Sequence, residues 1–463
     1  MVSTNHPDEF AKGLRGVRVG VVGFGRTGQS VTKVLLFLDA VPITVDTRPP
    51  EQVRDLASRI EALGLRADSG PQALEALVGL PLVVVSPGVV LPADLESRLQ
   101  QARTPVIAEI ELAFLLSRGP IVAVTGTNGK STTTRMVGDI LAAAGIPAGV
   151  GGNIGDPLVE KAVAASPGDF LVAEVSSFQL EQCCQFRPLA AALLNIRSDH
   201  LDRHGGLDGY IAAKSRLFAQ QKEDDLAVGH YDDPVVRQVV ERSRARHAFF
   251  SRLAHPQPGA YLDGDDLVLA LNGQPSIICA AADLPLRGAH NIENALAASL
   301  LASHCGAPPE ALRAALLAFT LAEHTLEEIG IYRDLRWVND SKGTNPAATA
   351  AALEAVGGPS VLIAGGSDKG LDFEELLPPL QDWAKALISM GQTAPQLEQV
   401  ARRAGIQQVL RAANLDEAVH LAASLAEPGD TVLFSPASAS FDMFRDYRDR
   451  GEQFRRAVKE GLQ

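Results

Sequence analysis

Short runs of consecutive apolar residues, each ending in a polar or Gly-rich turn, alternate along this chain with Ala/Leu-rich stretches of helical spacing. Fully apolar strands separated by helices are the pattern of parallel sheets covered on both faces, so the fold class is α/β. The first unit is a predicted strand Val17–Val22, a turn Gly23-Phe24-Gly25-Arg26-Thr27-Gly28, a helix from about Gln29 to Leu38 and a strand Ile43–Asp46. A further strand, Leu82–Val85, ends at Ser86-Pro87-Gly88, and a connecting strand and helix are expected between Thr104 and Gly119. Strands are next expected at Val122–Val124, Phe170–Glu174 and Ala192–Asn195. A Pro-, Gly- and Asp-rich stretch from His255 to Ser276 predicts a short antiparallel excursion. Helices over Asn291–His304 and Pro309–Leu317 follow, and the alternation restarts at Trp337-Val338-Asn339-Asp340, with later strands at Val361–Ala364 and Thr431–Phe434. These restarts divide the chain into three expected domains, 1–109, 110–322 and 323–463. The expected architecture is a Rossmann-like N-terminal domain, a central P-loop-type mononucleotide domain and a C-terminal Rossmann-like domain.

Length agrees with that division, since 463 residues suit about three domains of roughly 100–200 residues. Composition adds little: 46% apolar and 21% charged residues describe an ordinary globular chain. A net charge of −13 argues against nucleic acid as a partner, because a phosphate polymer needs a basic face. No apolar run approaches the ~20 residues that span a bilayer, and the polar start of the chain lacks the apolar core of a signal peptide. Cys183, Cys184, Cys279 and Cys305 have neither metal-type nor disulfide-framework spacing. A cytoplasmic protein with reduced, structural thiols, no membrane partner and a monomeric state is expected.

The chemistry concentrates at predicted strand ends, where open α/β sheets bind ligands. After the strand at Val122, Gly126-Thr127-Asn128-Gly129-Lys130-Ser131-Thr132 is a shortened phosphate loop, G-x-x-G-K-S, with Val124 where the longer motif has glycine. Its amides, the following helix N-terminus and the Lys130 ammonium suit a polyphosphate, and the Ser131 hydroxyl suits a magnesium ion bridging phosphate oxygens. Gly23-x-Gly25-x-x-Gly28, with Asp46 ending the second strand, fits a dinucleotide fingerprint and fits another nucleotide diphosphate equally well. Glu174 ends a strand and offers magnesium an oxygen ligand. His200, in Asn195–His204, is either a metal ligand or a hydrogen-bonded structural histidine, and by spacing alone Lys214 is a surface lysine. Asn291 and Asn294 open a helix, where they either read an adenine edge or cap the helix. Asp340–Asn345, Gly365–Gly370 and Ser435–Asp442 are three polar strand-end loops suited to carboxylate and phosphate oxygens.

Taken in order, these motifs resemble those of the Mur ligases over essentially the whole chain. The resemblance rests on Gly126–Thr132, Glu174-Val-Ser-Ser-Phe-Gln-Leu, Asn195–His204 with Tyr210 and Lys214, and Gly288–Asn294. It continues through Asn339–Asn345, Gly365–Gly370 and Ser435–Ser440. Asp46-Thr47-Arg48, Ser86-Pro87-Gly88 and the segment Ser440 to Gly451 point within the family to the member that adds D-glutamate to UDP-N-acetylmuramoyl-L-alanine. That resemblance implies an ATP-dependent, ADP-forming ligase of peptidoglycan synthesis working through an acyl phosphate. It implies ATP held by Gly126–Thr132, Asn294, His324, Asp340 and Lys342. Magnesium would be held by Ser131, Glu174, His200 and a carbamylated Lys214, the last three joining Lys130 as catalytic residues. The UDP-linked substrate would be held by Thr27, Asp46, Thr47, Arg48, Ser86, Gly88 and Asn153, and D-glutamate by Thr344, Lys369, Ser440 and neighbouring Tyr447. Two departures stand out: Thr325 follows His324 where the family usually has arginine, and Tyr447 stands where phenylalanine is common. Rival readings are a sister Mur ligase, a folylpolyglutamate synthase-like ligase, an NAD-dependent oxidoreductase resting on the first Gly turn alone, and a non-catalytic nucleotide-binding regulator.

Overall fold

The computed structural model describes residues 6–462 apart from 154, 200, 272 and 287, and the side chains of residues 201 and 202. His200 therefore lies outside the described residues. Three sheets follow one another along the chain. The first has five parallel strands in the order Ala67–Ser69, Val41–Asp46, Arg18–Val22, Leu82–Val85 and Val106–Ala108. Arg18–Val22 is the first strand in the chain and has neighbours on both sides, so the strand order reverses there and leaves a crevice beyond its carboxyl end. The helix after it begins at Arg26, three residues earlier than expected, and runs to Phe37. It starts early because Gly28 packs its Cα directly on the Gly23 carbonyl, where any Cβ would collide. Thr27 thus lies in the first helical turn.

The second sheet has nine strands. Its parallel part runs Ala148–Gly152, Phe170–Glu174, Ile121–Thr125, Ala190–Leu193, Leu226–His230, Arg246–Ser251 and Gly259–Asp263. Asp266–Ala270 and Ser276–Ala280 then close it antiparallel. The excursion expected between His255 and Ser276 is therefore three strands reaching Ala280, the first of them still parallel to its neighbour. Ala190–Leu193 ends two residues earlier than expected, which frees Asn195 to reach the phosphate loop. Ile121–Thr125 is flanked by Phe170–Glu174 and Ala190–Leu193, so this sheet too reverses beside its central Gly-rich turn.

The third sheet runs Glu327–Tyr332, Leu335–Asn339, Thr431–Phe434, Ser360–Gly365, Ala384–Met390 and Gln408–Arg411. The alternation restarts at Glu327 and not at Trp337, because an antiparallel edge strand precedes the one expected. Each sheet is sandwiched by helices, as the continuous burial of Leu82–Val85, Ile121–Thr125 and Thr431–Phe434 requires. No described helix is long and apolar enough to cross a membrane.

The passage from the first sheet to the second is unusually direct. Val106–Ala108 ends the first sheet, and Glu109 opens the helix Glu109–Leu116 with no intervening loop. Both acids of its first turn are buried. Glu109 accepts the Val159 N–H at 2.7 Å, and Glu111 accepts those of Gln185 and Phe186 at 2.6 and 2.9 Å. Burial pushes the Glu109 carboxyl up to about 7, against the lowering effect of the backbone donors Val159 and Leu158. The folded chain thus binds a proton at Glu109 that the unfolded chain, with its ordinary value of 4.5, releases. The resulting stability is fully present below about pH 4.5 and is lost as pH rises through about 7. At about 1.4 kcal/mol per pKa unit this amounts to roughly 3 kcal/mol. Glu109→Gln keeps an acceptor for Val159, so chemical denaturation should show a flatter stability–pH profile between pH 5 and 8 than wild type. Parallel profiles would contradict this assignment.

Candidate active site

The phosphate loop is built by the reversal in the second sheet. After Thr125 the chain turns through Gly126, and the helix Lys130–Ala143 starts from Gly129. Gly129 has φ of 82°, and the Asn294 amide oxygen lies where its Cβ would be, so conformation and space both demand glycine. Asn195 fixes the loop from the adjacent strand end: its Oδ1 accepts the Thr127 and Asn128 N–H groups at 3.1 and 2.9 Å. Its Nδ2 donates to the Asn128 carbonyl at 3.2 Å. Lys130 Nζ curls back to donate to the Gly126 and Thr127 carbonyls at 2.9 and 2.7 Å.

Beside this loop lies a compact polar cluster. Glu174, buried at the end of Phe170–Glu174, accepts the Ser131 hydroxyl at 2.6 Å and the Asn153 amide at 2.8 Å. Lys214 is also buried, 1% exposed, on the helix Leu207–Ser215. Its Nζ donates to the Gly126 carbonyl at 2.9 Å and lies 4.5 Å from the centre of the Tyr210 ring. Burial, reinforced by the nearby Lys130 charge, holds the Lys214 amine well below the ordinary lysine range. Both features are foreign to a surface lysine, so the reading from spacing alone is overturned. Among the described residues no group of three His, Cys, Asp or Glu side chains forms a metal nest. The donors gathered here are hydroxyl, carboxylate and amide oxygens with a basic amine, a set that suits a hard cation once the amine is converted to an acid.

A cavity of about 330 Å³ extends from this cluster to the third sheet. Thr127 to Thr132, Asn153, Glu174 and Asn294 line it from the middle unit, and Asp340, Lys342, Thr344 and Tyr447 from the third. One part is apolar, with Leu194, Phe250, Leu321, Ala351 and Ala352, beside the polar side chains of His290, Asn291 and Asn294. Gly126 sits beneath the loop. Asn294 Oδ1 accepts the Thr133 hydroxyl at 3.2 Å, so its amide both braces the phosphate loop and faces the cavity. Asp340 is buried, accepting from the Ser435 hydroxyl at 2.7 Å and the Leu326 N–H at 3.2 Å. Burial pushes its carboxyl up to about 7. Burial also lowers the Lys342 ammonium, partly offset by the Glu174 carboxylate.

His324 departs from expectation. It is not among the residues lining the cavity; its imidazole is buried, with Nδ1 3.0 Å from Asn339 Nδ2 and its ring against Gly451. Its neighbour Thr325 lines the cavity instead, with a buried hydroxyl that has no partner among the described residues. The backbone explains the exchange, since His324 and Leu326 both have positive φ (61° and 44°) and turn the chain inward at 324.

Lys369 and Ser440 also do not line this cavity. They belong to the loops after Ser360–Gly365 and Thr431–Phe434, joined to each other through the Ser367–Ala439 bridge. Arg450 ties the second of these loops to the loop after Leu335–Asn339. Fully buried, it donates to the Ser341 carbonyl and hydroxyl at 2.8 and 3.1 Å and to the Ser438 and Ala439 carbonyls at 3.0 and 3.1 Å. Sequence reasoning missed it, because one arginine in a helix carrying several gives no signal.

In the first sheet Asp46 is buried and spent. It accepts from Phe24 N–H, Arg48 N–H and the Arg48 guanidinium at 2.8–3.0 Å. Burial alone would raise its carboxyl, but the Arg48 hydrogen bonds hold it below its ordinary value. A carboxylate with all its acceptor sites occupied has none left for a ribose diol, which removes the support for a nicotinamide dinucleotide. Its role in this structure is to fix the Gly23–Gly25 turn and to orient Arg48; Thr47 lies between the two. Ser86 and Gly88 line a separate cavity of about 220 Å³, facing Phe178, Gln179 and Arg203 of the middle unit. Arg26 reaches across to the Gly155 carbonyl.

Comparison with known proteins agrees with this geometry. Residues 17–109 match the MurD-like N-terminal domain of Mur ligases, 124–302 the Mur ligase middle domain, and 326–438 the glutamate ligase domain of Mur ligases. A UDP-N-acetylmuramoylalanine–D-glutamate ligase from Pelotomaculum thermopropionicum is 42% identical over 441 residues, 95% of this chain and 97% of that protein. The chain belongs to the Mur ligase family. As a Mur ligase it is an ATP-dependent, ADP-forming amide ligase, which sets aside the oxidoreductase and the non-catalytic regulator. Among solved structures, a MurF ligase from Thermotoga maritima in complex with ADP shares the fold, with a TM-score of 0.59 at 16% identity, covering 98% of this chain and 96% of that one. A folylpolyglutamate synthase from Mycobacterium tuberculosis, complexed with ADP, shares it over 71% of this chain and 91% of its own, with a TM-score of 0.55 at 20% identity.

Proposed function

We propose that this Mur ligase joins D-glutamate to UDP-N-acetylmuramoyl-L-alanine in peptidoglycan biosynthesis, consuming ATP and releasing ADP and phosphate. The observation that carries this reading is the single cavity in which a phosphate loop from one sheet faces the Asp340–Asn345 loop of the next. Full-length similarity to D-glutamate ligases selects the amino acid. The functional units are residues 1–109 for the UDP end, 110–322 for ATP and 323–463 for the amino acid. The enzyme acts as a monomer, in the cytoplasm where its nucleotide-linked reactants are made.

In this reading Gly126–Thr132 cradle the ATP phosphates, and the apolar end of the cavity takes the base beside Asn294. Asp340 accepts from a ribose hydroxyl. Lys342 supplies the cation that arginine would supply at Thr325. Thr27, Thr47, Arg48, Ser86, Gly88 and Asn153 hold the UDP-linked acceptor, with Asp46 fixing the turn behind them. Thr344, Lys369, Ser440 and Tyr447 hold D-glutamate. Ser131, Glu174, His200 and carbamylated Lys214 would hold magnesium, which when bound neutralises charge on the phosphate oxygens. Burial of Lys214 supports the carbamate, because a buried amine of lowered basicity can add CO₂ and lose a proton to become an anionic oxygen donor.

A carboxylate is a poor electrophile, and phosphorylation overcomes this. A terminal L-alanine carboxylate oxygen attacks the γ-phosphorus, the bond to the β–γ bridging oxygen breaks, and ADP leaves. Lys130 and the loop amides stabilise the spreading negative charge. The D-glutamate amine, after losing one proton, attacks the acyl carbon; collapse breaks the carbon–oxygen bond to phosphate and releases a second proton. An assay of ADP release with the UDP-linked acceptor and D-glutamate, L-glutamate, L-alanine or L-lysine in turn should respond to D-glutamate alone. Release driven by another of these amino acids would identify a sister Mur ligase.

A further inference from the structure

The phosphate loop and the amino-acid unit are joined by a reciprocal pair of side-chain amides. Asn345 Nδ2 donates to Asn128 Oδ1 at 3.0 Å, and Asn128 Nδ2 donates to Asn345 Oδ1 at 3.3 Å. Each partner is fixed from its own side. Asn128 is held by Asn195 through its backbone N–H and carbonyl. Asn345 is buried and caps the helix Pro346–Val356, accepting the Ala348 N–H at 2.9 Å. It directly follows Thr344, and both residues line the cavity beside Lys342 and the phosphate loop. Helix capping uses the Asn345 oxygen and leaves its Nδ2 for Asn128, and Asn195 braces Asn128 without involving the Asn128 side chain. The pair thus bonds across the gap between two sheets, with Asn345 Oδ1 shared between cap and partner.

We infer that the Asn128–Asn345 amide pair is a positioning latch that sets the Thr344 loop in register with the phosphate loop, so that D-glutamate capture depends on the loop that holds ATP. The inference rests on the ligase reading above and assigns Asn128 a task beyond binding nucleotide and Asn345 a task beyond capping its helix. A shift of about 1 Å in a substrate-positioning group can lower rates on the order of 100-fold, so a latch of two hydrogen bonds has leverage over the second substrate.

A double-mutant cycle on the full-length enzyme tests it. Asn345→Asp keeps the capping oxygen and removes only the donor to Asn128, and Asn128→Ala removes the partner. Each single variant should raise KM for D-glutamate about 10-fold, and the double variant should be no worse than the poorer single one. Thermal unfolding of Asn345→Asp should match wild type, because the cap survives. Independent, multiplicative losses, or an Asn128→Ala variant that raises KM for ATP and leaves that for D-glutamate unchanged, would overturn the latch. If aspartate disturbs the loop, Asn345→Ser caps equally and repeats the cycle. Absence of D-glutamate-dependent ADP release from the wild-type enzyme would instead refute the ligase reading, which separates the two failures.

Discussion

Lys130→Ala should lower ADP release by about 10²–10³-fold in kcat, roughly 3–4 kcal/mol of transition-state stabilisation. The ammonium lies within 2.9 Å of two carbonyls of its own loop, so its stem and charge are already aimed at the centre of the turn. Phosphoryl transfer demands little covalent work of a protein and much charge stabilisation, which makes a correctly placed cation the largest single contribution available here. Alanine also leaves the Thr127 carbonyl without the Lys130 donor, while the Gly126 carbonyl keeps only Lys214. Because Thr127 lines the cavity and the Gly126 carbonyl keeps its bond from Lys214, folding should be little affected, and near-normal melting with near-absent turnover is the expected signature. Turnover within a few-fold of wild type in a coupled ADP assay would remove Lys130 from the mechanism.

A loss on the order of 100-fold is expected for Lys214→Ala, the scale on which disturbed metal sites fail. Here the expected outcome has a second part: short-chain carboxylates such as acetate should restore part of the activity. In the proposed reading the wild-type side chain contributes a carbamate oxygen, and alanine leaves a buried space near Glu174 that a small carboxylate can enter. Burial of Lys214 lowers its basicity, the direction that favours reaction with CO₂. A variant indifferent to added carboxylates would show that the lysine acts as an amine, through its hydrogen bond to the Gly126 carbonyl.

Much of this molecule is legible in its sequence because the informative features are local. Leu82–Val85, Phe170–Glu174 and Thr431–Phe434 are buried on both faces and read as unbroken apolar runs. The phosphate loop reads equally well, since turn, cation and hydroxyl lie within seven consecutive residues. What escapes is set by surroundings. Glu327–Tyr332 is a half-exposed edge strand interrupted by Gly330, so neither a continuous nor a strictly alternating pattern marks it. Lys214 looks like any lysine until the Tyr210 ring and the Gly126 carbonyl close around it. Asn128 and Asn345 are 217 residues apart, and only the packing of two sheets brings their amides together. His324 is the converse case: the motif is legible, but two left-handed backbone conformations place its ring outside the cavity lining.

The two junctions of the chain differ in a way that matters to anyone building chimeras. The helix Glu109–Leu116 leaves the first sheet without slack and is pinned to the middle unit by two buried acids. A foreign first module must therefore bring that helix with it, or supply its own partners for the backbone of Val159, Gln185 and Phe186. The stretch from Phe319 to Leu326 carries no helix or strand, so a transplanted third module spliced near Ala322 interrupts no element.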